Sequence, residues 1–340
     1  IPDAPDVQLR DFWGAAESIS SDTDMAMVSG AYTKLGRKHI EEFIKTVEEA
    51  LTDKSLIEHK KKNFWIWYED RYDEAWETFA RRFHEGTDGL ESDVAWKNMA
   101  SLMTTGHSPY FRVIERMAEE LARPDKIGKD GKIVKSVKKP PWMAVIFELN
   151  EIQKTAKEDA GKQGKEKATV IDKITGKEKQ IVQEIKGGID PQEAKKIEKR
   201  HAIAKVWTEY LKAMELLVPV AVSRETGFRM VSEYFTSLTA TAESKSPFSQ
   251  AYGNYMVIKS MLSDMGDAQI AWDLLVGPLD FMLYYSIEEA GCYLQEQWEG
   301  QILGKISGAS PEMLPAILFD KTEGLVWKFV NQTAKPFIGE

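Results

Sequence analysis

Cysteine is nearly absent, since Cys292 is the only one in 340 residues, and this excludes an intramolecular disulfide or a cysteine-based metal site. Its setting, Ala290-Gly291-Cys292-Tyr293 on a predicted helix, reads as a small buried hydrophobe and not as a nucleophile. Long apolar runs are missing too. No uninterrupted stretch approaches the roughly 18–20 residues that span a bilayer, and the longest candidates carry charges or Gly-Pro breaks. Ile1-Pro2-Asp3 opens no charged-then-apolar leader, so the chain is expected to be a segment of a longer protein whose anchor lies elsewhere. Neither sign of charge dominates. With 45 Lys and Arg against 54 Asp and Glu, the chain lacks the basic excess that a nucleic-acid partner usually needs.

Motifs that impose a reaction are also lacking. There is no Gly-x-x-x-x-Gly-Lys-Ser/Thr loop, no Gly-x-Gly-x-x-Gly turn, no His-Glu-x-x-His and no Gly-x-Ser-x-Gly elbow. Gly106-His107-Ser108 comes nearest to an elbow, but Pro109 and Tyr110 stand where the second glycine would be, and Ser108 reads better as a helix cap. His39, His59, His84, His107 and His201 are never three or four apart, so no two share a helical face as metal ligands. Asp70 and Asp73 could be taken for an acid/base pair, yet Arg71 separates them on what reads as a solvated helix face. Neither cofactor nor metal nor catalytic residue is assigned.

What is present is helical periodicity. Ile40, Phe43, Ile44, Val47 and Leu51 mark one apolar face, and Phe64, Tyr68, Tyr72, Trp76, Phe79 and Phe83 form an aromatic stripe on a longer helix. Both faces are expected to pack against neighbours. Ser108-Pro109 starts a helix whose buried side is Tyr110, Val113, Ile114, Met117 and Leu121, and Arg123-Pro124 ends it. Asp190-Pro191 starts another, with Ile203, Val206, Trp207, Tyr210, Met214 and Leu217 inward. A long helix is expected after Gly277-Pro278, through Leu283, Ile287, Ala290, Leu294 and Trp298. Between these, lysines accumulate from Lys126 to Lys139 and from Lys154 to Lys186, around a helical period at Trp142–Ile152. The Asp130-Gly131 pair between Ile127 and Ile133-Val134 predicts a hairpin. Thr169-Val170-Ile171 and Ile181-Val182 suggest a second.

Certain strings carry a resemblance. Phe64-Trp65-Ile66-Trp67-Tyr68, Tyr72 and Ala75-Trp76, Phe79, Gly86, and Ser108-Pro109-Tyr110 occur in that order. They are similar to the IcmF-related region of the IcmF/TssM family, the inner-membrane scaffolds of bacterial type VI secretion systems. Trp298, Gly324, Phe329 and Pro336-Phe337 resemble that family's following stretch. Thr322-Glu323-Gly324 departs from it, standing where the family more often has a Pro-Gly-Gly turn, and the lysine-rich segment has no counterpart.

The expected fold is mainly α, an elongated multi-helix bundle of one or two helical subdomains with one or two short β-hairpin insertions. Residues 1–123 would form one helical subdomain, 124–190 a lysine-rich insertion around one helix, and 191–340 a second subdomain. The resemblance implies a periplasmic structural arm of a membrane complex, partnered by other secretion-complex subunits and neighbouring copies. It implies docking of the outer-membrane lipoprotein TssJ only through a β-rich domain beyond this chain, and membrane anchoring outside it. The rival reading is a hydrolase whose Asp, Glu and His residues are dispersed along the sequence.

Overall fold

The computed structural model describes residues 4–14, 26–51, 55–122, 126–127, 133–134, 140–166, 191–239 and 246–338. The fold is mainly α-helical. The principal helices are α1 (Arg10–Trp13), α2 (Lys34–Ala50), α3 (Ser55–Arg81), α4 (Asp93–Met103), α5 (Pro109–Leu121), α6 (Pro141–Glu166), α7 (Pro191–Glu215), α8 (Arg224–Thr239), α9 (Pro247–Met261) and α10 (Gln269–Trp298). Short helical pieces follow to Phe337, two of them π-helical, at Glu299–Leu303 and Val330–Ala334.

Among the described residues, two antiparallel strand pairs accompany the helices. One joins β1 (Val7–Gln8) to β2 (Met27–Val28). The other joins β3 (Lys126–Ile127) to β4 (Ile133–Val134), with Ile127 opposite Ile133. The second pair is the hairpin expected around Asp130-Gly131. The hairpin suggested at 169–182 lies outside the described residues, as does most of the lysine-rich stretch.

The chain divides into two compact units, each assembled from three segments. The first takes Ile1–Ser92, Pro109–Thr208 and Val257–Gly277, and the second takes Asp93–Ser108, Glu209–Met256 and Pro278–Glu340. In the first unit, α3 buries Tyr68, Tyr72, Trp76, Phe79 and, just past its end, Phe83. α5 buries Tyr110, Val113, Ile114, Met117 and Leu121, and α6 buries Trp142, Val145, Ile146, Leu149 and Ile152. These are the faces that the 3.6-residue period selects, because residues three and four apart stack on one side of a helix. Pro109 and Pro191 open their helices at the position where a missing N–H costs no bond.

Three expectations need correction. Phe43 on α2 is 69% exposed and Leu51 is exposed too, while Ile40, Ile44 and Val47 are only partly covered. α2 is therefore covered along one flank and not along its whole apolar face. The helix placed after Gly277-Pro278 instead starts at Gln269 and runs straight through Pro278. Proline removes one i→i−4 hydrogen bond, but a burying environment can carry that loss. Here Ala271, Leu274, Leu275, Leu279 and Met282 are all buried around it. Gly277 lets the helix backbone lie against the Tyr110 ring, since a Cβ there would come within 2.2 Å of Tyr110 Cε1. Beyond Pro278 the buried residues are Phe281, Met282, Tyr285, Ser286 and Ala290, and Ile287 points outward. Cys292 follows from this register: two residues past Ala290, it lies on the opposite side of α10 and is exposed.

The helix running Gln269–Ile306 is long and apolar enough to cross a membrane by length and composition, and 67% of its most apolar window is buried within the protein. Uninterrupted runs alone miss it, because Asp273 and Asp280 interrupt the apolar residues without lowering the mean enough.

Candidate functional site

Aromatic side chains of α3 meet the N-terminal segment in the first unit. Trp76 Nε1 donates to the Tyr32 carbonyl at 2.9 Å, and Tyr68 Oη donates to the Ala31 carbonyl at 2.5 Å. Burial raises the Tyr68 phenol well above its ordinary value, so it stays a donor. Phe79 and Phe83 pack edge to face, with ring centres 5.9 Å apart, and Phe12 and Trp13 of α1 close over Phe83 at 5.5 and 5.7 Å. Tyr110 of α5 completes the group at 5.1 Å from Phe83. Such tilted and edge-on contacts are the arrangements that aromatic quadrupoles favour.

Gly86 belongs to this cluster. A Cβ at 86 would lie 2.2 Å from the indole ring of Trp13, which is itself buried. Gly86→Ala is therefore expected to displace that ring and cost about 1–3 kcal/mol, as overpacking does. A thermal melt unchanged from wild type would show that the indole moves aside freely.

Beneath the aromatics lies a carboxylate. Glu120 near the end of α5 is buried; its Oε2 accepts the Lys34 backbone N–H at 2.6 Å and the Tyr72 hydroxyl at 3.3 Å, and its Oε1 lies 2.9 Å from Arg116 Nη2. Tyr72 Oη also donates to the Glu120 carbonyl at 3.0 Å. Lys34 is the first residue of α2, so Glu120 caps a helix start from 86 residues away, where an anion is favoured. Thr33 supplies the local cap, accepting the Gly36 N–H at 3.1 Å. Sequence reasoning missed Glu120, because the Glu119-Glu120 pair near the end of α5 resembles any solvated helix face.

Other charged groups are paired. Arg200 of α7 grips Glu148 of α6 in a two-pronged contact at 2.8 and 2.9 Å, and the hydrogen bond raises the guanidinium further. In the second unit, Arg224 bridges Glu289 at 2.9 Å and Glu296 at 2.8 Å on α10.

The remaining residues picked from the sequence separate into two groups. Ser108 is fully buried immediately before Pro109, as a residue at a helix start and not at an open elbow. Asp70 is exposed and Arg71 pairs with Glu74 on the solvated side of α3. His59, His84, His107 and His201 are exposed, and among the described residues no three His, Cys, Asp or Glu side chains come together as a metal site would need.

In the second unit, Trp298 is partly buried and packs edge-on to Phe329 at 5.3 Å, over a small core of Ile302, Phe329 and Ala334. Phe337 packs on Phe228 and Phe235 at 5.5 and 5.7 Å, with Pro336 beside it at the start of the last turn. The Thr322-Glu323-Gly324 turn is organised by Asp320, whose Oδ1 accepts the N–H groups of Thr322 and Glu323 at 2.9 and 2.8 Å. Those bonds hold the Asp320 carboxyl below its usual range. Gly324 is buried close over the Asp320 carbonyl.

Tyr285 gives this unit a pH signature. Burial, then the nearby Glu289, push its phenol up to about 12. A phenol raised in the folded state stabilises fully below its unfolded value near 10, and that contribution fades as pH rises through 12. Stability measured by denaturant titration should thus be level to about pH 10 and fall beyond it. Tyr285→Phe should make the fall shallower without abolishing it, because burial also raises the Tyr210 and Tyr234 phenols, and an equally steep decline in that variant would assign it to those.

No family model, curated protein or solved structure matches this chain.

Proposed function

We propose that the chain is a periplasmic, mainly helical arm of an IcmF/TssM-type scaffold, acting by packing and assembly within a type VI secretion membrane complex. The observation that supports this best is the use made of the motif residues. Tyr72, Trp76, Phe79, Gly86, Pro109 and Tyr110 are spent on buried aromatic packing, and Trp298, Gly324, Phe329, Pro336 and Phe337 on holding the last turns. Residues so engaged suit a rigid spacer, and the paired, scattered titratable groups offer no convergent acid, base and nucleophile among the described residues. Its partners on this reading are other subunits of the complex and neighbouring copies, with anchoring and lipoprotein docking supplied by other parts of the parent protein.

An in-frame deletion of the codons for these 340 residues from the parent gene tests the reading. Effector release should be lost while the anchor and lipoprotein-binding parts are still made. Unchanged release would overturn it.

The reading also predicts that this chain alone does not bind the outer-membrane lipoprotein TssJ. Its apolar helix faces are mostly used internally, and an extended edge for a β-rich partner is not offered by the described helices. Surface plasmon resonance against the soluble lipoprotein should give no saturable signal. Binding tighter than about 10 μM, roughly -7 kcal/mol, would move the docking site into this helical region.

A further inference from the structure

α2 packs on α3 along one flank, where Arg37 reaches Glu69 at 2.7 Å and Glu48 meets Lys61 at 2.6 Å. A second stripe runs beside that flank. Leu35, His39, Phe43, Thr46 and Ala50 recur at the three- and four-residue spacing of a single helix face. It holds no Lys, Arg, Asp or Glu, and its middle member, Phe43, is 69% exposed. In a helix otherwise dense in lysine and glutamate, such a face has the character of a contact surface.

The stripe's edge is charged in a particular order. Each stripe position after Leu35 is preceded by a charged residue: Lys38, Glu42, Lys45 and Glu49. One residue back is about 100° round the helix, so these four line one side of the stripe. Lys38 and Glu49 lie equally far from the point between Phe43 and Ile44, and so do Glu42 and Lys45. Within one chain these side chains meet only at 3.9 Å, Lys38 with Glu42 and Lys45 with Glu49, and all four are 62–75% exposed.

We propose that α2 forms an antiparallel contact with α2 of a second copy of this chain, about a twofold axis between Phe43 and Ile44. A twofold maps each helix edge onto itself, so a residue that meets another is met by it in turn. Lys38 of each copy then faces Glu49 of the other, Glu42 faces Lys45, and the two Phe43 rings lie side by side. Sliding the pair by one turn sets Lys38 against Lys45 in one direction and Glu42 against Glu49 in the other. The pattern thus favours one register and penalises its neighbours. α2 is about 25 Å long, so the contact falls below a standard interface and is weak in dilute solution. Copies held side by side in a membrane raise its effective concentration. The proposal deepens the architectural reading by naming the partner as a second copy, but its test does not depend on that reading.

Sedimentation equilibrium of the 340-residue chain at low salt, up to about 500 μM, should show a monomer–dimer equilibrium with Kd weaker than 10 μM. Phe43→Asp should abolish it. The pair Lys38→Glu with Lys45→Glu, and the pair Glu42→Lys with Glu49→Lys, should each weaken self-association at least tenfold, and mixing the two variants should restore it as a heterodimer. All five positions are exposed, and circular dichroism checks that each variant stays folded. A wild type that is monomeric throughout, a dimer indifferent to Phe43→Asp, or a mixture that fails to recover would overturn the proposal. A monomeric chain whose deletion still stops secretion would sink the dimer alone, while a dimeric chain whose deletion leaves secretion intact would sink the scaffold reading alone.

Discussion

Trp76→Ala is expected to destabilise the first unit by about 3–5 kcal/mol, the cost of deleting a large buried aromatic. Trp76 has no exposed surface, packs edge-on to Phe79 at 6.1 Å, and donates its indole N–H to the Tyr32 carbonyl. Truncation therefore removes the ring contacts and leaves that carbonyl without its donor. Trp298→Ala should cost clearly less, since Trp298 is only partly buried over a small core. Denaturant unfolding of the two variants, with helix content as the signal, measures both. A Trp76→Ala protein that unfolds like wild type but fails in secretion would make that indole a contact for another subunit.

The second large effect is expected at Glu120. Removing its carboxylate strands the Lys34 N–H, whereas the Tyr72 hydroxyl keeps its bond to the Glu120 main-chain carbonyl at 3.0 Å. Leaving one donor unsatisfied costs about 1–3 kcal/mol, so Glu120→Ala should lose about that much. Arg116 adds little to this loss, because its side chain is 42% exposed and recovers water. Glu120→Gln keeps an acceptor of the same shape and should recover a large part of the loss. Equal damage from the two substitutions would show that the charge at the start of α2 matters more than the bonds.

Local signals made much of this fold legible. The aromatic stripe from Phe64 to Phe83, the proline-led starts of α5 and α7, and the hairpin around Asp130-Gly131 each follow from spacing or backbone restriction within a dozen or so residues. What escaped depends on neighbours distant in sequence. Val7–Gln8 pairs with Met27–Val28 through strands too short to show alternation. Pro278 reads as a helix start, and only the packing around it shows a helix passing through. Partly covering Ile40, Ile44 and Val47 while leaving Phe43 out depends on where α3 lies, which the period of α2 does not contain. Glu120 belongs to the same class: its partners Lys34 and Tyr72 come from other helices, and nothing beside it in the chain announces them.

The three-segment make-up of each unit has a consequence for synthesis. The first unit needs Val257–Gly277, so its opening 92 residues cannot be finished until well over half of the chain has left the ribosome. At 5–20 residues per second, the interval from Ser92 to Gly277 lasts on the order of ten seconds or more. During that wait Tyr110 of α5 lacks the Gly277 backbone that lies against its ring and Pro141 of α6 lacks Gly266 beside it, which invites engagement by holding chaperones. A protease-free dissection faces the same obstacle, since ending the chain at Thr208 or Met256 cuts through α7 or α9 and leaves both units incomplete.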